Sequence, residues 1–338
     1  MSAQDVPPQM AMLRMLNGFH VTQMLAVAAR LGVADLLGDG PQSAEALASA
    51  IGAHPDALYR LMRALANMGV FEALPERRFA LTPLGATLRA DHPDRMRAFA
   101  MFLGEEVYRA WGDLYYTITT DQPAFDHIFG AHHFDYLATH PASNELFNQA
   151  MSAAARREIV AMVAAYDFSE VERVVDVGGG HGLLLSAILQ ENPGLHGVLF
   201  DLPHVVANAG PMLGAAGVAD RCEVVGGDFF TGTPPAGDIL TLSHIIHDWD
   251  DAHCIQILRS CTRALRTGGK LLVVEDVIEP GANAPQTLFR DMQMMVLNGG
   301  RERTAAEFEG LFTAADLRMT RIIPTQATTH IIEGVTAP

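Results

Sequence analysis

Residues 174–182 read Val-Val-Asp-Val-Gly-Gly-Gly-His-Gly, and Asp201 closes the run Gly197-Val198-Leu199-Phe200-Asp201, 23 residues beyond Gly178. The order predicts a strand, a glycine turn, a helix and a second strand ending in a carboxylate. Glycine has no Cβ, so a ligand can approach the backbone closely at Gly178 and Gly180. A carboxylate at the tip of the second strand can accept hydrogen bonds from both ribose hydroxyls. The glycines follow Gly178-x-Gly180-x-Gly182, whereas a dinucleotide fingerprint would need glycine where Leu183 stands. The segment carries no lysine to meet a phosphate. The pattern therefore suits a nucleoside without a pyrophosphate, and S-adenosylmethionine fits it better than NAD.

Further chemistry follows at the ends of later strands. Asp228 lies in Gly226-Gly227-Asp228-Phe229-Phe230. Its carboxylate can accept from an exocyclic amine, while Phe229 can stack on or edge an adenine. The ordinary alternative for Asp228 is a turn or cap. The segment Leu242-Ser243-His244-Ile245-Ile246-His247-Asp248-Trp249-Asp250-Asp251 holds two histidines three residues apart. An imidazole titrates near neutrality and can accept a proton there. His247 is expected to open the turn and His244 to lie within the strand, which makes His247 the candidate base. Asp250 and Asp251 suit the start of the following helix. Glu275 is expected to close a fifth strand, and Glu302 to sit in the glycine turn Asn298-Gly299-Gly300-Arg301-Glu302-Arg303-Thr304. Two carboxylates beside a histidine would orient it and stabilise its protonated form. No set of ligands with metal spacing converges, so no metal is expected.

These residues need a frame. From residue 172 strand and helix patterns alternate, with strands expected at 172–177, 196–201, 222–226, 237–243 and 270–276. That alternation is the mark of an α/β fold, a Rossmann-like parallel sheet with helices on both faces. Two more strands, about 317–324 and 328–335, are joined by too short a link for a crossover helix and should form an antiparallel hairpin. Open sheets of this kind bind ligands beyond the carboxyl ends of their strands.

Upstream, residues 43–88 outline a winged helix: a helix capped by Ser43, a second at about Pro55–Met68, and two short strands flanking Pro75-Glu76-Arg77. Residues 9–37 carry Met12, Met15, Leu16, Phe19 and Leu25 at helical spacing, a helix suited to the core or to a subunit interface. Residues 95–165 read as helical and aromatic, with rings that serve a core or a flat ligand. The expected division is 1–95, 96–165 and 166–338.

The chain has 338 residues and a formal net charge of −16. An acidic surface repels DNA and anionic membranes, so neither nucleic acid nor membrane is an expected partner, and the winged helix is read as dimerising. Met1–Pro8 lacks the basic and apolar regions of a secretion signal. Cys222, Cys254 and Cys261 form no CxxC pair and are expected as reduced core thiols of a cytoplasmic protein.

Taken together, Phe147-Asn148-Gln149-Ala150-Met151, the glycine turn, Phe200-Asp201-Leu202-Pro203-His204-Val205, Gly226-Gly227-Asp228-Phe229-Phe230, His247-Asp248-Trp249-Asp250-Asp251 and Gly299-Gly300-Arg301-Glu302-Arg303-Thr304 resemble one family. It is the class I S-adenosylmethionine-dependent small-molecule O-methyltransferases, which includes plant caffeic acid and acetylserotonin enzymes and bacterial antibiotic-tailoring members. The resemblance spans nearly the whole chain. It implies an N-terminal winged-helix dimerisation domain, a homodimer, and S-adenosylhomocysteine as a product. Gly178, Gly180, Asp201, Gly227, Asp228, Phe229 and Ser243 would hold the cofactor, and Trp249 would pack by its adenine. His247 would be the general base, flanked by Glu275 and Glu302. Phe147, Met151, Met295 and Asn298 would border a small, aromatic acceptor with a phenolic or enolic hydroxyl. Ser243 stands where many plant members have lysine, and Ser152-Ala153-Ala154-Ala155 replaces polar residues, so plant acceptors do not carry over. The alternatives are N- or C-methylation, a non-methylating use of the cofactor on the same scaffold, a winged-helix regulator that senses a ligand, and an NAD oxidoreductase.

Overall fold

The computed structural model describes residues 7–93, 96–279, 281 and 285–337. The chain divides into two compact units, one of residues 1–109 with 141–154, the other of residues 110–140 with 155–338.

In the first unit β1 (Gln42–Ser43), β2 (Phe71–Leu74) and β3 (Arg78–Leu81) form an antiparallel sheet in the order β1-β3-β2. Ser43 accepts a hydrogen bond from the Ala46 N–H at 3.1 Å and caps the helix Ala44–Ile51. The helix Pro55–Asn67 buries Leu58, Met62 and Leu65 against Phe71 and Phe79. The winged-helix outline is therefore present. The apolar stretch 9–37 is not one helix. It breaks at Asn17 and at Gly32, whose φ of 68° suits glycine, into Pro8–Leu16, Gly18–Leu31 and Val33–Leu36. Met12, Met15, Leu16 and Phe19 stay at least half exposed, whereas Ala28, Ala29, Val33 and Leu37 enter the core. The core role thus falls to the second part of the stretch, and the first part stays exposed.

The second unit carries β4 (Arg173–Val177), β5 (His196–Asp201), β6 (Cys222–Gly226), β7 (Gly237–Ser243), β8 (Leu265–Ile278), β9 (Arg303–Thr304), β10 (Leu317–Pro324) and β11 (Thr329–Thr336). Seven strands run in the order β10-β11-β8-β7-β4-β5-β6, and β9 pairs with β8. Strands β4 to β8 pair in parallel, and β10 and β11 form the antiparallel hairpin, with β11 against β8. Buried branched residues explain the central strands: Val174, Val175 and Val177 in β4, Leu240 and Leu242 in β7, and Leu271 to Val274 in β8. Chain order reverses between β4 and β7, which makes their carboxyl ends the switch point where such sheets take ligands.

Three expectations are corrected. Strand β7 ends at Ser243, so His244 lies outside it, in a left-handed conformation with φ of 54°. Glu275 does not close its strand, because β8 runs on to Ile278 under the support of β11 and β9. Cys254 and Cys261 are core thiols, but Cys222, at the start of an edge strand, is only half-buried. No helix among the described residues is long and apolar enough to cross a membrane.

Candidate active site

The glycine turn follows β4 with Gly178, Gly180 and Gly182 all at positive φ. A Cβ at Gly178 would overlap the Ile245 side chain, so the turn must be bare where it meets the segment after β7. The Asp201 carboxylate braces the turn: Gly180 N–H donates to its Oδ2 at 2.8 Å and Leu202 N–H to its Oδ1. Each oxygen retains a lone pair for a further donor. Burial raises the Asp201 carboxyl, and the two backbone donors oppose that rise. Asp176, which the sequence reading passed over, lies beneath. It is buried, accepts from Thr241 Oγ1 at 2.7 Å, and is pushed by burial to about 6. A charged residue inside an apolar strand was the available signal.

Asp228 has partners within its own turn. Its carboxylate accepts from the Phe230 N–H at 2.8 Å and from the Thr231 hydroxyl, shaping the turn after β6. Gly227 fits against the Phe200 ring, where a Cβ would clash. Phe229 and Phe230 meet Trp249 edge-on, with ring centroids 6.5 and 4.7 Å away. Trp249 also stacks on His132 and Phe134. Ser243 is half-buried and ends β7.

His247 sits in a short 3-10 turn, Ile246–Asp248, and is buried. Its Nδ1 lies 2.8 Å from Glu302 Oε1 and 3.2 Å from Glu275 Oε2. Both carboxylates thus address one nitrogen. The other, Nε2, lies 3.8 Å from Asp248 Oδ1. Burial by itself would lower the imidazole, but Glu275 and Glu302 outweigh it and raise His247 to about 10. Burial pushes Glu275 up, and His247 opposes it; Glu302 is held down by His247 against its own burial.

The turn is fixed from both ends. Glu275 Oε1 accepts from the Ile246 and His247 N–H groups at 2.9 and 3.3 Å. Arg303, fully buried, donates to the Ile246 and Trp249 carbonyls and pairs with Asp251. Gly300 passes so near the His247 carbonyl that no Cβ fits. Asp250 caps the helix Asp251–Ala264, as expected, while Asp251 serves the arginines. Sequence reasoning missed the role of Arg303, whose only signal was its place in the same glycine turn as Glu302.

Of the acceptor candidates, Asn298 is buried with its amide engaged. Its Nδ2 donates to Asp248 Oδ1, and its Oδ1 meets His133 Nδ1 at 2.9 Å. Met295 is half-buried on the helix Pro285–Leu297. Phe147 packs edge-on against Phe102 within the first unit, which also contains Met151. Among the described residues, ligand-type atoms of His244, His247 and Glu275 come within 4.8 Å of one another. Each group already has a proton-sharing partner, in Glu158, Glu302 and the backbone N–H groups of the turn. The sequence expectation that no ligand-type set converges is corrected here, because the tertiary fold brings these three groups together.

The second unit is thus a doubly wound α/β sheet with a carboxylate-braced glycine turn and a carboxylate-flanked histidine at the carboxyl ends of its strands. An O-methyltransferase domain matches residues 111–318, and an O-methyltransferase dimerisation domain matches residues 13–91. Phenazine O-methyltransferase PhzM of Lysobacter antibioticus is 46% identical over 332 residues, 98% of this chain and 97% of that one. A solved O-methyltransferase (NcsB1) from neocarzinostatin biosynthesis, in complex with S-adenosylmethionine and 2-hydroxy-5-methyl naphthoic acid, superposes with a TM-score of 0.84 at 33% identity, covering 96% of this chain and 98% of that one. An 8-amino-8-demethylriboflavin N,N-dimethyltransferase of Streptomyces davaonensis is 33% identical over 318 residues, 93% of this chain and 91% of that one. The chain belongs to the S-adenosylmethionine-dependent O-methyltransferase family.

Proposed function

We propose that this methyltransferase works as a homodimer, transfers the methyl group to a phenolic or enolic oxygen of a small planar aromatic metabolite, and uses His247 as the base. The observation that carries the reading is the pairing of His247 Nδ1 with two buried carboxylates, which leaves Nε2 to meet an acceptor hydroxyl. Asp201 and the glycine turn would hold the ribose and methionyl portions of S-adenosylmethionine, which fits a site offering bare backbone and acceptor lone pairs but no phosphate-binding lysine. When bound, the cofactor supplies an electrophilic sulfonium methyl. Asp228 would shape the turn that carries Phe229 to the adenine, with Trp249, edge-on to Phe229, packed beside it.

Nε2 would take the proton of the acceptor hydroxyl, and Glu302 and Glu275 would stabilise the resulting imidazolium. Such assistance is worth ~10²–10⁴-fold, with much of the remaining catalysis coming from positioning and exclusion of water. A hydroxyphenazine is the first acceptor to try, given the phenazine-methylating relative. The N,N-dimethylating relative favours one second reading, in which the acceptor atom is an amine nitrogen. Product analysis of a hydroxyphenazine against an aminophenazine separates the two.

The test of the base is His247→Ala. Turnover should fall at least ~10²-fold, while S-adenosylhomocysteine still binds by calorimetry. Equal loss of turnover and cofactor affinity would remove His247 from the role.

A further inference from the structure

The second histidine has no part in the mechanism above, yet the structure builds a place for it. His244 takes a left-handed backbone with φ of 54°, a conformation uncommon outside glycine, asparagine, aspartate and histidine. Such strain persists only where surrounding contacts hold it. Here Nε2 lies 2.7 Å from Glu158 Oε2 on the helix Pro141–Ala165. Nδ1 lies 3.8 Å from Glu275 Oε2, the oxygen that also faces His247 Nδ1 at 3.2 Å. That oxygen is buried and accepts no hydrogen bond, so one bare carboxylate oxygen lies between two imidazoles whose ring centroids are 5.2 Å apart.

The proton count follows from the neighbours. Arg290 donates to Glu158 Oε1 at 2.9 Å and lies 3.4 Å from Asp276 Oδ1. Beside that guanidinium Glu158 is an anion and can only accept, held down at about 2 by His244 and Arg290 against its own burial. His244 Nε2 therefore carries a hydrogen. His244 Nδ1 and Glu275 Oε2, at 3.8 Å, are within ion-pair reach but beyond a hydrogen bond, and a proton on Nδ1 makes that contact attractive. Among the described residues Asp248 and Glu302 also face this cluster, on the His247 side; burial raises Asp248, while His247 holds Glu302 down against its own burial.

We propose that His244 is a positioning residue for methyl transfer: held as a cation by Glu158, it lies within ion-pair reach of Glu275 Oε2, offsets the Glu275 charge and thereby sets the basicity of His247. The proposal rests on the reading of His247 as the acceptor-facing base. It gives the second histidine a task that the first cannot perform. Two fully charged carboxylates would keep His247 protonated at neutral pH and unable to accept the acceptor's proton. With the Glu275 charge offset, Glu302 alone orients the ring and its protonated form is held less strongly.

The test uses His244→Asn, because asparagine tolerates the left-handed backbone, together with Glu158→Gln. Histidine-labelled homodimer with S-adenosylhomocysteine bound is titrated by NMR. In both variants the His247 ring should titrate about one pH unit higher than in the wild type, as expected for loss of one offset to a nearby charge. With a hydroxyphenazine acceptor, the acid limb of kcat/KM should move up by the same amount. Activity near pH 7 should fall about tenfold, while that at high pH recovers to within about twofold. An unchanged His247 titration overturns the proposal, whether turnover falls uniformly with pH or S-adenosylhomocysteine affinity is lost instead. Failure of the base reading looks different: His247→Ala would stay active while the titration of His247 still responded to His244→Asn.

Discussion

Replacing Glu302 by glutamine removes one of the two charges on His247 Nδ1 and keeps an oxygen of similar size in reach. The Glu302 Oε1 to Nδ1 separation of 2.8 Å gives an attraction of about 6 kcal/mol at an effective dielectric of about 20. That corresponds to about four pKa units. The whole rise of His247, from 6.5 to about 10, is smaller, because burial opposes the carboxylates. Removing Glu302 also lets Glu275 ionise more fully, which returns part of the lost attraction. The expected result is a fall in the His247 pKa of about 2–4 units, read directly as the ring titration in the S-adenosylhomocysteine complex. The acid limb of kcat/KM should shift to lower pH in step, since the ring then loses its proton more readily. Plateau turnover should drop about 10²-fold, because a weaker and less firmly oriented base drives proton transfer less. A Glu302→Gln enzyme whose His247 titrates as in the wild type would refute the electrostatic account of the site. Unchanged plateau turnover would refute the orienting role of Glu302.

Asp201→Ala should weaken S-adenosylmethionine binding about 10²-fold by calorimetry, through loss of charge-assisted hydrogen bonds and of the brace on Gly180, and leave the His247 titration in place; undiminished affinity would refute the ribose assignment. Glu333 is buried beside Tyr166, Thr320 and Arg321, and although burial would raise it, these partners depress its carboxyl to about 2. A depressed carboxyl stabilises the fold above its unfolded value of about 4.5 and loses that contribution as pH falls towards about 2. Glu333→Gln should therefore lower Tm by several degrees at pH 7 and have a smaller effect near pH 2, as scanning calorimetry would show.

The sheet was legible because its strands are runs of buried branched residues set between helical periods. The hairpin was legible because Thr325-Gln326-Ala327 leaves no room for a crossover. The winged helix was legible from Ser43 and from the turn at Glu76 and Arg77. Strand ends were harder to read. Apolar continuity carried the expectation through His244 in one case and stopped it at Glu275 in the other, but hydrogen bonding from β11 and β9, remote in sequence, decides where β8 ends. The break at Gly32 hides in a stretch whose hydrophobic spacing never falters.

By itself the sequence determined the parts: a bare glycine turn, carboxylates at strand tips, and histidines three apart, because residue type and spacing fix what chemistry each segment can offer. Only the tertiary structure decided which parts meet. Glu302, Glu275 and Glu158 come from three distant segments, and neighbouring strands and helices bring them to two histidines. The structure also decided the electrostatics, since a carboxylate at about 3 Å in a buried site governs an imidazole that the same residue in water would barely perturb.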